Sequence, residues 1–198
     1  MALNNDIFTA GLTPPDYVNQ IRNYRSFVRE LNEQIEVDQK WVDGFAAELA
    51  KRPDIKGATF MSEDWCGDAA CNLPVLAKIC EKAELELRVI RGSEQPELNS
   101  YYEDDGTDHI PVFSIWSSDF TEIIRWVEAP EGIQQKKDAW KTLRPEFMEL
   151  YEKRETDKDA AKQFAKLYME FLVEMAAWYR EGGWKEVCDE ITALLRAV

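Results

Sequence analysis

Ser62-Glu63-Asp64-Trp65-Cys66-Gly67-Asp68-Ala69-Ala70-Cys71 stands between two runs of different hydrophobic period. Upstream, Ala58-Thr59-Phe60-Met61 is short and apolar; downstream, Leu73, Val75-Leu76 and Ile79-Cys80 recur at helical spacing. The segment therefore reads as strand, loop, helix. A cysteine at that junction meets the unpaired amides and the positive dipole end of a helix, a setting that favours thiolate over thiol. Cys66 is thus the candidate reactive atom.

Trp65-Cys66-Gly67 at a strand-to-helix turn resembles the way the thioredoxin superfamily presents its nucleophile. His109-Ile110-Pro111-Val112-Phe113 resembles that superfamily's cis-proline loop, which faces the active cysteine and opens the next strand, and the separation of the two motifs agrees. More narrowly, Glu63-Asp64-Trp65-Cys66-Gly67-Asp68 with Arg125-Trp126-Val127-Glu128-Ala129-Pro130 resembles a bacterial thioredoxin-like family marked by Trp-Cys-Gly-Asp, over roughly residues 55 to 131. The resemblance implies an α/β thioredoxin-like fold, a central mixed sheet with flanking helices. It also implies a thiol-disulfide oxidoreductase with Cys66 as nucleophile and Cys71 as resolving cysteine. Trp65, Gly67, Ile110 and Pro111 would shape the substrate edge, with a cis Ile110–Pro111 bond, and Asp68 and His109 would modulate the site. The substrate would be a protein or low-molecular-weight thiol or disulfide; no cofactor is implied.

Two departures bear on that chemistry. Thioredoxin separates its cysteines by two residues, whereas four separate Cys66 from Cys71. On a regular helix, positions five apart have Cα atoms roughly 8.5 Å from each other, beyond the ~7 Å a disulfide tolerates. A Cys66–Cys71 bond thus requires the first turn to bend or unwind, and two reduced thiols are expected. Thioredoxin also carries a buried acid six residues before its nucleophile, where this chain has Phe60. A redox-silent scaffold that binds a partner or a second copy is the alternative function. A peroxiredoxin-like thiol peroxidase is another, since one branch of that family spaces its cysteines in this way, although Met61-Ser62-Glu63-Asp64-Trp65 lacks that family's proline and threonine.

Other chemistry has less support in the residues. The single histidine, His109, could complete a zinc site with Cys66, Cys71 and Asp68, or a Cys-His hydrolase, but a solvated loop histidine is the simpler reading, and no metal is expected. Near Cys66, helix amides lower the thiol pKa while Glu63, Asp64 and Asp68 raise it, and Asp68 could instead cap the helix. Cys80 and Cys188 read as small buried apolar residues.

The chain has 198 residues and a formal charge of −14, and residues 53–131 hold 17 acidic against 6 basic side chains. Such a field repels nucleic acid and anionic membranes, so neither is an expected partner. Four unevenly spaced cysteines, no leader-like start and no apolar run long enough to span a membrane point to the cytoplasm.

Three regions are expected: a helical extension over 1–56, a thioredoxin-like domain over 57–151, and a C-terminal helical extension over 152–198 packed on the same core. Thr13-Pro14-Pro15-Asp16 starts a helix whose face is Tyr17, Ile21, Tyr24, Val28, Leu31 and Ile35, and a second begins near Asp38. These helices cover one side of the domain or dock a second subunit as a homodimer. Strands follow at Leu85 to Ile90, Val112 to Trp116 and Thr121 to Val127. Ser93 is expected to cap a helix over Glu94 to Tyr102, and Glu103-Asp104-Asp105-Gly106-Thr107-Asp108 forms an acidic loop. A closing helix is expected near Ile133 to Tyr151. Beyond it, aromatic stripes from Phe164 to Tyr179 read as core packing up to Gly182-Gly183, and a last helix follows from Trp184.

Overall fold

In the computed structural model, which describes residues 2–103 and 109–198, β1 (Ile55–Ser62) pairs in parallel with β2 (Leu87–Arg91) and antiparallel with β3 (Val112–Ser117). β3 in turn pairs antiparallel with β4 (Glu122–Val127), so the order across the sheet is β2-β1-β3-β4. β1 from Gly57 onward and the whole of β3 are buried, which is why they read as near-continuous apolar runs. β4 lies at the edge and alternates, with Ile124 and Trp126 inward and Arg125 and Val127 outward. Phe60 stands opposite both Val89 and Phe113, a cross-strand row through the middle of the sheet.

Ten α-helices are present among the described residues: α1 (Asn5–Ala10), α2 (Pro14–Gln20), α3 (Arg25–Gln34), α4 (Gln39–Leu49), α5 (Gly67–Lys82), α6 (Pro96–Tyr102), α7 (Glu131–Thr142), α8 (Glu146–Lys153), α9 (Lys158–Trp178) and α10 (Trp184–Arg196). The start signals hold at α2, where the Thr13 hydroxyl accepts from the Asp16 amide at 3.3 Å, and at α4, where the Asp38 carboxylate accepts from the Lys40 amide at 2.9 Å. Asp38→Ala should cost about 1 kcal/mol of stability, read as a lowered urea midpoint with an unchanged slope. The acidic run 104–108 lies outside the described residues.

Three expected elements differ. The periodic face from Tyr17 to Ile35 is two helices, α2 and α3, because Tyr24 takes the left-handed region at φ 56° and the Arg22 amide bonds Asp64 instead of the preceding turn. The three-to-four spacing survives since both helices bury the same stripe of Tyr17, Ile21, Val28, Leu31 and Ile35. The closing helix expected from Ile133 to Tyr151 is also two, α7 and α8. Pro145 has no amide to donate and disfavours helix in the residue before it. Ser93 does not cap α6: it lies in a short 3-10 turn, Gly92–Glu94, and its amide and hydroxyl both bond the Glu63 carboxylate. Helix α1 has no counterpart among the expected elements.

Two compact units divide the chain, residues 1–129 with 187–198, and residues 130–186. The N-terminal helices belong to the unit of the sheet, where Leu12 exchanges both backbone hydrogen bonds with Val89, and α7 belongs with α8 and α9. Within residues 130–186 the core is aromatic: the Trp140 and Phe171 rings lie 4.7 Å apart, and Phe147 meets both. A π-helical segment, Tyr179–Gly183, follows α9, and Gly182 at φ 155° supplies a conformation that a side chain would resist. Among the described residues, no helix is long and apolar enough to cross a membrane.

Candidate functional site around Cys66

The end of β1 and the first turn of α5 are joined by Glu63, Asp64, Trp65 and Cys66, and each of these side chains has a separate direction. The Glu63 carboxylate takes the Ser93 amide at 2.6 Å and hydroxyl at 3.2 Å. The Asp64 carboxylate accepts from Arg91 Nε at 2.8 Å and from the Arg22 amide at 3.1 Å. Both acids thus fasten the loop to neighbouring segments of the sheet unit. Trp65 is left 59% exposed, while Cys66 turns inward and is 7% exposed.

Cys66 is the N-cap of α5. Its Sγ accepts from the Ala69 amide at 3.5 Å and faces the Ile110 carbonyl oxygen at 3.6 Å, so the thiol donates to that carbonyl. Gly67 is the first helical residue. Asp68 is therefore not the cap; it sits in the first turn, where its charge bears directly on the sulfur. Burial, and after it the Asp68 carboxylate, push the Cys66 thiol up to about 12, against the Ala69 amide and the Ser62 hydroxyl, which favour the thiolate. The helix terminus loses that contest. Alkylation of the native protein by iodoacetamide should keep accelerating towards pH 12 instead of levelling near the ordinary ~8.5. Asp68→Asn should accelerate it several-fold at fixed pH; an unchanged rate would remove Asp68 from the electrostatics of the site.

Cys71 is the fifth residue of α5, three before the internal Pro74, and is fully buried; none of the four cysteines is in a disulfide. The helix starts at Gly67 and runs on to Lys82, so the separation of roughly 8.5 Å expected on a regular helix applies.

Across from the sulfur, the Ile110–Pro111 bond is cis. Ile110 packs against an apolar cluster that includes Leu3, Phe8 and Met61, which fixes the carbonyl facing Cys66. The Pro111 carbonyl accepts the Glu128 amide at 2.7 Å, and Glu128 occupies the left-handed region at φ 60°. Its carboxylate meets His109 Nδ1 at 2.7 Å. Buried Asn72 donates to the Asp68 carbonyl at 2.9 Å and to the Glu128 carbonyl at 2.8 Å, tying the first turn of α5 to the strand end that holds His109.

All eight candidate residues belong to one unit. Cys66 and Ile110 come together directly, with Trp65, Gly67, Asp68, His109 and Pro111 next to them in the chain; Cys71 is set apart inside the helix. Sequence reading placed Tyr24 only on a helix face and Glu128 only within the resembling motif, and it did not single out Asn72 or the pairing of Asp64 with Arg91. Tyr24 is half-buried, and its phenol is pushed up by burial and by the charge of Cys66. A cleft of ≈ 460 Å³ lined by Pro14, Val28, Leu73, Pro74 and Leu87 does not include Cys66. Among the described residues, no group of three His, Cys, Asp or Glu side chains is placed to hold a metal ion.

A family model described as thioredoxin matches residues 11–141. Two solved structures are similar over almost their whole length. One is a protein of unknown function from Pseudomonas aeruginosa, at TM-score 0.62 and 15% identity, covering 100% of this chain and 99% of that one. The other is an HIV epitope-scaffold, at TM-score 0.60 and 14% identity, covering 98% and 97%. At such identities these two show the fold alone. No curated protein matches the chain. The family match spans more than half of the sequence and includes the whole sheet and the Cys66 turn, and the chain belongs to the thioredoxin family.

Proposed function

We propose that the protein is a thiol-disulfide oxidoreductase whose reacting sulfur is Cys66, acting on protein or low-molecular-weight disulfides. The observation that carries this reading is the placement of Sγ at the head of α5, between the Ala69 amide and the Ile110 carbonyl and beside exposed Trp65. At rest Cys66 is a thiol, so its proton must leave before attack. The thiolate then displaces one sulfur of a substrate disulfide R–S–S–R, forming Cys66–S–S–R and releasing RS⁻, which takes up the proton. A second thiol R′SH attacks the substrate-derived sulfur, giving R–S–S–R′, and its proton restores the Cys66 thiol. We assign this second step to an external thiol, because Cys71 is fully buried and five residues along a regular helix.

Burial favours one other reading. A thiol 7% exposed and pushed up to about 12 suits a redox-silent scaffold as well. Turnover of 2-hydroxyethyl disulfide by the unaltered protein, with glutathione and a reductase couple, separates the two. Steady turnover supports the oxidoreductase. No turnover with glutathione, dithiothreitol or reduced thioredoxin, each tried in turn, supports the scaffold.

A further inference from the structure

We infer that His109, held by Glu128, is the base that takes the proton from the external thiol attacking the Cys66 mixed disulfide and returns it to the departing Cys66 sulfur. This rests on the oxidoreductase reading and says how its second half proceeds. A site without a usable second cysteine must recruit a thiol from solution, and a thiol attacks only after it gives up a proton. His109 is placed for that task. It directly precedes Ile110, whose carbonyl oxygen is 3.6 Å from Sγ, so the residue next in the chain to the group facing the sulfur carries an imidazole.

The ring is oriented by its carboxylate partner. The Glu128 carboxylate can only accept, so Nδ1 carries the hydrogen in their 2.7 Å contact, and in the neutral imidazole the lone pair that can take a proton is on Nε2. Glu128 is itself fixed by three backbone features: its left-handed φ, its amide on the Pro111 carbonyl and its carbonyl on Asn72. Glu128 is thus a positioning residue and His109 the group that handles the proton. The imidazole side chain is 43% exposed, open to solutes. Among the described residues, Asp68 is the acid whose charge bears on the sulfur, and it suits the task poorly, since that charge already opposes the thiolate.

The step balances. R′SH loses its proton to Nε2 and forms a bond to the substrate-derived sulfur; the Cys66–S bond breaks with its electron pair on Sγ; the imidazolium protonates Sγ. A disulfide is exchanged for a disulfide, with no further oxidant or reductant.

The test uses the protein with a preformed mixed disulfide between Cys66 and 2-mercaptoethanol, chased by alkyl thiols of graded acidity from trifluoroethanethiol to propanethiol. Release of Cys66 is read by mass spectrometry after acid quench. In the unaltered protein the rate should depend weakly on thiol acidity. In His109→Gln it should fall about a hundredfold for the least acidic thiols and stay near the unaltered rate for trifluoroethanethiol, which ionises far more readily without help. Added imidazole should restore His109→Ala, and Glu128→Gln should fall in between. An equal slowing with every thiol, or none, would overturn the role of His109 while leaving the oxidoreductase reading intact. Failure of the unaltered, folded protein to form the mixed disulfide at Cys66 would overturn both.

Discussion

Cys66→Ser should bring disulfide turnover down to the uncatalysed background, a loss of about 10³-fold or more on the scale seen when an enzyme loses its nucleophile. A serine hydroxyl fills the same N-cap position and can accept the Ala69 amide as Sγ does, so the fold survives and the loss is chemical. Cys71→Ala is the informative partner. Under external resolution it keeps turnover close to that of the unaltered protein, with a modest loss of stability from the emptied core position. Were Cys71 the resolving sulfur, its removal would trap the Cys66 mixed disulfide, and turnover would fall with it. Parallel assays and unfolding curves on the two variants separate these outcomes.

Arg91→Ala should destabilise the protein by about 3–5 kcal/mol, the usual cost of stranding one partner of a buried ion pair. Asp64 and Arg91 have side chains only 11% and 13% exposed and meet at 2.8 Å. The Arg91 guanidinium also lies over the Tyr17 ring at 5.1 Å. Burial alone would raise the Asp64 carboxyl, but its bonds to Arg91 and to the Arg22 amide outweigh that and hold it below the usual carboxylate range. Because the folded-state value is depressed, the stabilisation is full above the unfolded value of about 3.9 and is lost as pH falls through the folded one. The stability gap between the unaltered protein and Asp64→Ala should therefore be wide at pH 7 and close in strong acid. Urea unfolding across that range measures it, and a gap independent of pH would mean the pair does not carry the stability assigned to it.

Much of the site was legible because its signals are local. A short apolar run, a Trp-Cys-Gly turn and a helical period fall within some twenty residues, and Ile110-Pro111 repeats a pattern recognisable by itself. The same locality explains what escaped. Asp64 and Arg91 are 27 residues apart, Arg22 and Asp64 are 42 apart, and Asn72 and Glu128 are 56 apart. Asp64, Arg91 and Asn72 pair through their side chains, Arg22 and Glu128 through a backbone amide and a backbone carbonyl, and only the folded chain brings these partners together. The break between α2 and α3 was hidden for another reason. Periodicity records which face is buried, and two short helices can bury one stripe as well as a single long one can. Pro145 did offer a local signal for the break between α7 and α8, which the run of apolar residues up to Tyr151 masked.

The charge balance at Cys66 could not be read from composition, because it depends on depth. The amides of α5 and the Asp68 carboxylate are both legible at this turn, but the dominant influence is burial, which belongs to the packed structure. This has a chemical consequence: the sulfur is stored as a thiol and needs a proton acceptor whenever it reacts. We propose that His109, held by Glu128 and next in the chain to the facing carbonyl of Ile110, meets that need.

Peptide mapping by mass spectrometry, after the reduced native protein is incubated with glutathione disulfide and quenched in acid, tests the central claim most directly. A single glutathione on Cys66, with Cys71, Cys80 and Cys188 unmodified, is the predicted result. No adduct on Cys66 under conditions where the urea-unfolded chain is modified there, or an adduct on another cysteine in its place, would contradict it.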